Sequence, residues 1–275
     1  MGLAPTPLGY YSEVVGLPPY ITKYMPVTGA MIITASHNPS QYNGMKMTYA
    51  KQSLNEEQIK IVKELTMEEY KLAIPPVPFG ILNEYDLIPD YIEEMTKKFG
   101  RIGEGIKVVV DSANATGGVV APKLYRALGC EVVELYSMPD GRFPHHHPNP
   151  SDEKTLNDIK KAVVANKADI GIAFDGDSDR IGVIDSDGNS MTGDKLLLIY
   201  AEEVIKEYNE KHKDQQIELT AAESFKVADA YAWVLEGRYD GFFDIKLSFE
   251  KAVTDKDGSY HQYADKLSWF AYKGI

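Results

Sequence analysis

The sequence predicts an α/β protein with layered architecture, parallel strand pairing and right-handed crossovers. Three observations lead there. Short runs rich in Val and Ile recur at Ile106–Asp111, Glu131–Tyr136, 168–174 and Gly182–Asp185. Between the first three lie stretches of helical periodicity at 117–128 and 151–164, the alternation expected of βαβ units. The connecting segments are rich in Gly, Asp, Asn and Pro, as turns between such elements require.

Taken in order, Met1-Gly-Leu-Ala-Pro-Thr-Pro-Leu8 has loop character, like the inside of a domain, and a helix is expected to start between Tyr10 and Val15, with a break at Gly16-Leu-Pro-Pro19. Ala30–Ile33 reads as a buried strand that ends at the polar Thr34-Ala-Ser-His-Asn-Pro39. A helix follows from about Asn55 to Leu72, capped by Ser53, with Ile59, Ile61, Val62, Leu65 and Met67 among charges. Ala73–Pro89 reads as a connection and Asp90–Phe99 as a short amphipathic helix. Gly100-Arg-Ile-Gly-Glu-Gly105 marks the best domain boundary. In the 151–164 helix Asp152 or Ser151 is the expected cap, with Leu156, Ile159 and Ala162 facing inward. Asp187-Gly-Asn189 is a hairpin-like turn, and Leu196–Tyr208 a closing helix.

The chain of 275 residues is long enough for two domains and a filled core, with 44% hydrophobic and 25% charged residues. A net charge of −12 argues against a nucleic-acid partner, which calls for a basic face. No apolar run is long enough to span a bilayer, and the first residues lack a basic region followed by an apolar one. The expected setting is therefore the cytoplasm, without a membrane partner. The single cysteine, Cys130, has no internal partner and reads as a small core residue near the start of a strand.

Two loops carry chemistry. The first, Thr34–Pro39, offers the Ser36 hydroxyl beside the His37 imidazole and the Asn38 amide, with the Lys46 ammonium brought back by an Asn43-Gly44 turn. That mixture suits a phosphoryl group, although an ordinary polar turn has the same composition. The second is Phe174-Asp-Gly-Asp-Ser-Asp-Arg180. In an extended loop Asp175, Asp177 and Asp179 converge, and their mutual repulsion calls for a cation. Oxygen-only ligands suit Mg²⁺ better than zinc. A helix–loop–helix calcium site would need Gly at Arg180, Glu at Ser186 and flanking helices, and fails on all three. Arg180 could grip a phosphate that the metal also touches. Paired, the loops suggest a phosphorylated Ser36 of about −2 charge facing Mg²⁺, with Lys46 and His37 to steady phosphate or move protons.

These residues resemble the α-D-phosphohexomutase family of phosphomannomutases and phosphoglucomutases. The match rests on Thr34-Ala-Ser-His-Asn-Pro39 with Asn43-Gly-Met-Lys46, and on Asp175-Gly-Asp-Ser-Asp-Arg180. Gly2-Leu-Ala-Pro-Thr-Pro7, Asp111-Ser-Ala-Asn-Ala-Thr-Gly-Gly118 and Pro139–Pro150 echo it, and the likeness runs from Gly2 to about Asn209. The resemblance implies α/β/α domains with mixed, largely parallel sheets. Residues 1–98 would be the second half of domain 1, 99–209 domain 2, and 210–275 a partial or divergent domain 3. Ser36 would carry the phosphoryl group exchanged with a hexose phosphate, and a hexose 1,6-bisphosphate would be the activator. Lys46 would be the general acid/base and His37 a further catalytic group. Ser36, Asp175, Asp177 and Asp179 would ligate Mg²⁺, and Arg180, His37 and Asn38 would contact phosphate. The histidines His145–His147 would belong to a structural loop and not to a metal site.

The resemblance fades after Lys211. A strand at Ile217–Ala222, a helix at Ser224–Leu235 and a faint echo at Arg238–Asp244 are the expectations there, and Ser248–Ile275 has no clear periodicity. The family's sugar-selecting loop, the segment before it and its last phosphate loop are not found. Two other readings stay open: an Mg²⁺-dependent aspartyl-phosphate phosphatase using Asp175, and a non-catalytic fragment that binds sugar phosphate.

Overall fold

The structure, a computed structural model, describes residues 1–14, 27–39, 41–71, 83–211 and 213. The chain falls into two compact units, Met1–Ile181 and Gly182–Ile275.

The parallel sheet of the first unit follows from its three β-branched runs. Strands β4 (Lys107–Asp111), β5 (Glu131–Leu135) and β6 (Ile170–Phe174) pair in parallel in the order β5-β4-β6. The central strand β4 is buried from Val108 to Asp111, as a strand covered on both faces must be. On one face Val108 and Val110 pack with Ala121 of α4 (Ala121–Ala127), joined by Tyr125, Val132, Ile170 and Ile172. Cys130 sits at the edge of that cluster, and burial pushes its thiol pKa up. On the other face Ile159 and Val163 of α5 (Asn157–Asn166) are fully buried and press against Gly171 of β6, where a Cβ would lie 2.7 Å from Val163 Cγ2. Helix on both faces makes the α/β/α sandwich. The 151–164 helix is split: Asp152 caps a 3₁₀ turn at Glu153–Leu156, accepting from Lys154 N at 3.0 Å, before α5 begins. Leu156 and Ile159 point inward as expected, but Val163 takes the buried position instead of Ala162.

β4 feeds β5 on one side, and the chain then returns to place β6 on the other side of β4. This leaves a topological switch point at the C-terminal ends of β4 and β6, where ligands gather in open α/β sheets. The Asp175–Arg180 loop follows β6 at that point.

The N-terminal part of the unit is an antiparallel sheet of β1 (Gly29–Ile33), β2 (Met45–Tyr49) and β3 (Gln52–Ser53). The expectation of a buried strand at Ala30–Ile33 is corrected here. Burial alternates along β1, with Met31 61% and Ile33 59% exposed, while Ile32 turns to α1 (Thr6–Val14) and lies against Gly9. The same alternation on β2 sends Lys46 and Thr48 to the α1 side and Met45 and Tyr49 to the exposed side. α1 begins at Thr6, earlier than Tyr10. α2 (Glu56–Lys71) is capped not by Ser53, which lies in β3, but by Asn55. Asn55 Oδ1 accepts from Gln58 N and Gln58 Oε1 from Asn55 N, both at 2.9 Å, a reciprocal capping box. α3 (Ile88–Phe99) starts on Ile88-Pro89 and packs beside α4, and Gly103 N donates to Leu128 O to tie the following turn to the end of α4.

β7 (Ile181–Asp185), which lies in the second unit from Gly182 on, and β8 (Ser190–Met191) pair antiparallel across the Asp187-Gly-Asn189 turn, where Gly188 has φ +85°. α6 (Gly193–Lys211) follows. The expectations for Gly16–Pro19 and for everything beyond residue 213 lie outside the described residues. Among the described residues no helix is long and apolar enough to cross a membrane.

The burial contrast sets a stability test. Ile159→Ala should lower the unfolding free energy by about 2–5 kcal/mol. Exposed Ile61 on α2 should tolerate Ala within about 0.5 kcal/mol. Chemical denaturation of both variants measures the difference.

Candidate functional site

The site is assembled from two turns and one strand. β1 ends where the apolar run meets Thr34, and Thr34 fixes the turn twice. Its amide donates to Gly44 O at 3.0 Å, and its hydroxyl oxygen accepts from Ser36 N at 2.9 Å. Ser36 adopts the left-handed region, φ 52°, uncommon for a residue with a side chain and held here by that bond. Gly44 is required on packing grounds, since a Cβ would stand 2.8 Å from Thr34 O.

The carboxylate loop meets this turn backbone to backbone. Gly176 lies so close that a Cβ there would be 2.2 Å from Ser36 O. Thr116, at the start of a 3₁₀ turn (Thr116–Val119), donates its hydroxyl to Gly176 O at 3.0 Å. From the far side His147 Nε2, facing a carbonyl, donates to His37 O at 2.5 Å. The two loops are thereby fixed against each other.

The side chains then converge. Ser36 Oγ donates to Asp175 Oδ2 at 2.8 Å and accepts from Arg180 Nη2 at 2.5 Å. Asp175 Oδ1 accepts the amides of Asp179 and Arg180 at 3.1 and 3.2 Å. Lys46 Nζ bridges Asp177 Oδ2 at 2.7 Å and Asp179 Oδ2 at 2.6 Å. Asp177 Oδ2 also accepts the Thr6 hydroxyl at 2.6 Å. Arg180 Nε lies 3.3 Å from Asp175 Oδ2 and 3.6 Å from Asp179 Oδ1.

Electrostatics follow from this packing. Burial, reinforced by the charges of Asp177 and Asp179, pushes the Asp175 carboxyl up to about 6. Burial also acts to raise Asp177, but hydrogen bonds from Lys46 and Thr6 outweigh it and hold that carboxyl below the usual range. For Lys46 burial disfavours the charge, and the bonds to Asp177 and Asp179 more than offset it, so the ammonium is stabilised. Burial raises the Tyr10 hydroxyl, which also feels Lys46 and the two carboxylates.

Six expected residues therefore meet: Ser36, Lys46, Asp175, Asp177, Asp179 and Arg180. His37 stands at the margin, both ring nitrogens 3.5 Å from Arg180 Nη1. Asn38 does not enter the cluster; its Nδ2 donates to Ala35 O at 2.9 Å within its own turn. The three histidines do not converge. His145 meets Asn114, His146 the buried Asp111 and His147 the His37 carbonyl, so they form a polar strut. Thr6, Gly176 and His147 were not singled out by sequence as parts of this site. The signals for them were weak: a Thr-Pro pair at a helix start, a Gly between two Asp residues and a Pro-flanked histidine.

The residues fit a cation. One oxygen from each of Asp175, Asp177 and Asp179 falls within 4.8 Å of the others. Among the described residues nothing donates a hydrogen bond to the buried Asp177 Oδ1 or Asp179 Oδ1, the latter having only Arg180 Nε at 3.6 Å, and such an arrangement is costly for carboxylates. All donors are hard oxygens.

Comparison with known proteins agrees with this geometry. Residues 2–72 match the model for phosphoglucomutase/phosphomannomutase alpha/beta/alpha domain I, and residues 89–188 that for alpha/beta/alpha domain II. The chain is 38% identical to the phosphomannomutase/phosphoglucomutase of Pseudomonas aeruginosa over 205 residues, covering 74% of this chain and 41% of the relative. Against the phosphoglucomutase of Neisseria meningitidis it is 36% identical, covering 74% and 42%. A crystal structure of a phosphoglucomutase/phosphomannomutase family protein from Burkholderia thailandensis superposes with a TM-score of 0.66 at 34% identity, covering 74% of this chain and 43% of that one. The chain thus spans less than half the length of the relatives it matches. Two adjoining domain models of one family, and a phosphate-type turn set against a carboxylate triad, agree: the chain belongs to the phosphoglucomutase/phosphomannomutase family.

Proposed function

We propose that this chain is the phosphoryl-carrying part of a phosphohexomutase, which interconverts hexose 1-phosphate and hexose 6-phosphate of glucose or mannose through a bisphosphosugar. The observation that carries the reading is the Ser36 hydroxyl 2.8 Å from Asp175 Oδ2, at the rim of the carboxylate triad. In this reading residues 1–98 belong to a first domain, 99–209 to a second and 210–275 to a third, which the family models at 2–72 and 89–188 support in part. The remaining length of the relatives would supply the parts that select and turn the sugar.

Ser36 is the phosphoryl carrier. On transfer the Ser36 Oγ–P bond breaks as a bond from a sugar hydroxyl oxygen to phosphorus forms, and the hydroxyl proton passes to a base. The Ser36 oxygen takes up charge as it leaves, and Arg180 Nη2 already donates to that atom. Mg²⁺ bound by Asp175, Asp177 and Asp179 would neutralise charge developing on the phosphoryl oxygens. Lys46 is an ammonium in this arrangement, suited to donate a proton or steady charge. Accepting a proton requires its pairs with Asp177 and Asp179 to open. A hexose 1,6-bisphosphate is the activator because it can load Ser36 directly. His37 and Arg180 flank the phosphate side, with Asn38 holding the turn. Asp175 is a poor candidate for a phosphatase nucleophile, since Oδ1 accepts two amides and Oδ2 the Ser36 hydroxyl.

Incubation with Mg²⁺ and glucose 1,6-bisphosphate, followed by intact-mass spectrometry, should show one phosphoryl group gained, mapped to Ser36. Ser36→Ala should gain none. No gain by the wild-type chain, or a gain retained by Ser36→Ala, would overturn the reading. A pH test rests on Asp175. A cation binds its ionised form, so Mn²⁺ affinity should tighten as pH rises through about 6 and weaken up to tenfold per unit below it. Without metal the sign reverses. The raised carboxyl gives a stabilising contribution that is full below the unfolded value near 4 and lost as pH rises through about 6. Calorimetric titration and melting curves from about pH 3.5 to about pH 7.5, a range that brackets both values, test both signs.

A further inference from the structure

The aim of the Asp177 carboxylate is set from outside its own loop. Thr6, the first residue of α1, has no exposed surface, and both of its polar donors go to Asp177. Its amide donates to Asp177 O at 2.8 Å and its hydroxyl to Asp177 Oδ2 at 2.6 Å. Lys46 Nζ donates to the same Oδ2 at 2.7 Å. Each carboxylate oxygen has about two acceptor sites, so Oδ2 is filled. Oδ1 is buried and accepts no hydrogen bond from the described residues.

A carboxylate turns easily about its terminal torsion. With nothing holding Oδ2, either oxygen could face the triad, and the ion would have to order the group on binding. The amide bond from Thr6 fixes the backbone of Asp177, and the hydroxyl bond fixes the side chain. Lys46 is the less permanent holder. Its ammonium bridges two carboxylates that a cation would draw on, whereas the Thr6 hydroxyl is neutral and does not compete.

We propose that Thr6 is a positioning residue of the cation site: by holding Asp177 through Oδ2, it presents Oδ1 to the ion. This rests on the reading of the triad as a cation site. The alternative is that Thr6 only ties α1 to the loop. The two part company in Thr6→Val, which keeps the shape and the amide bond and removes the hydroxyl donor.

The experiment is Mn²⁺ binding by calorimetry, with melting in EDTA as a control for folding, on wild type, Thr6→Val and Thr6→Ser. Thr6→Val should bind Mn²⁺ about 10–100-fold more weakly, the usual effect of losing a group that orients a ligand, and Thr6→Ser should stay near wild type. Thr6→Val that melts lower but binds Mn²⁺ as tightly as wild type overturns the proposal and leaves the cation site standing. Wild type that binds no Mn²⁺ overturns both together. Should Thr6→Val not fold, Thr6→Cys keeps a side chain of similar size with only a weak S–H donor, and the same loss of affinity is required of it.

Discussion

Three carboxylates offering oxygens within 4.8 Å of one another are the constraint on which the rest of this site depends. Such a group cannot stay ionised in a buried place without positive partners. The chain brings them from two directions: Lys46 on β2 bridges Asp177 and Asp179, and Arg180 closes on Asp175. Two cations facing three acids leave a deficit of one charge. That deficit appears as the raised Asp175 carboxyl and, among the described residues, as the buried Asp177 Oδ1 and Asp179 Oδ1 without a hydrogen-bond donor. A divalent cation on the triad would supply the missing positive charge and a partner for both oxygens.

The scaffold makes the meeting possible. Parallel strands β5-β4-β6 place the carboxylate loop at the switch point of the sheet, and α5 and α4 cover its faces. The antiparallel sheet carries Ser36 on one turn and Lys46 on the following strand, with pleat alternation turning Lys46 toward α1 and the acids. Gly176 admits the Ser36 carbonyl, Thr116 anchors Gly176, and His147 braces the His37 carbonyl. The first sets one loop's backbone against the other's, and the other two tie one loop each to a neighbouring side chain.

Much of this was legible in the residues. The strands at Lys107–Asp111, Glu131–Leu135 and Ile170–Phe174 declare themselves because β-branched runs bounded by turns admit few alternatives. The acidic triad does so because like charges in close sequence demand a cation. What could not be read depends on contacts far apart in sequence. Thr6 meets Asp177 across 171 positions, and nothing local in Thr6-Pro7 points to it. Asn38 looked like a phosphate ligand, but its side chain serves its own turn, a choice that short polar residues in turns often make. Ala30–Ile33 looked buried because composition alone does not say that only one face of a strand is covered.

The central claim is that Ser36 and the carboxylate loop form one centre that holds phosphate and cation together. Phosphorus NMR of the chain phosphorylated at Ser36, titrated with Mn²⁺, measures this most directly. Strong paramagnetic broadening of the phosphoserine signal is expected in the wild type, with much less in Asp177→Asn at the same Mn²⁺ concentration. A phosphoserine signal that stays sharp while Mn²⁺ is bound, or one broadened equally in Asp177→Asn, would contradict it.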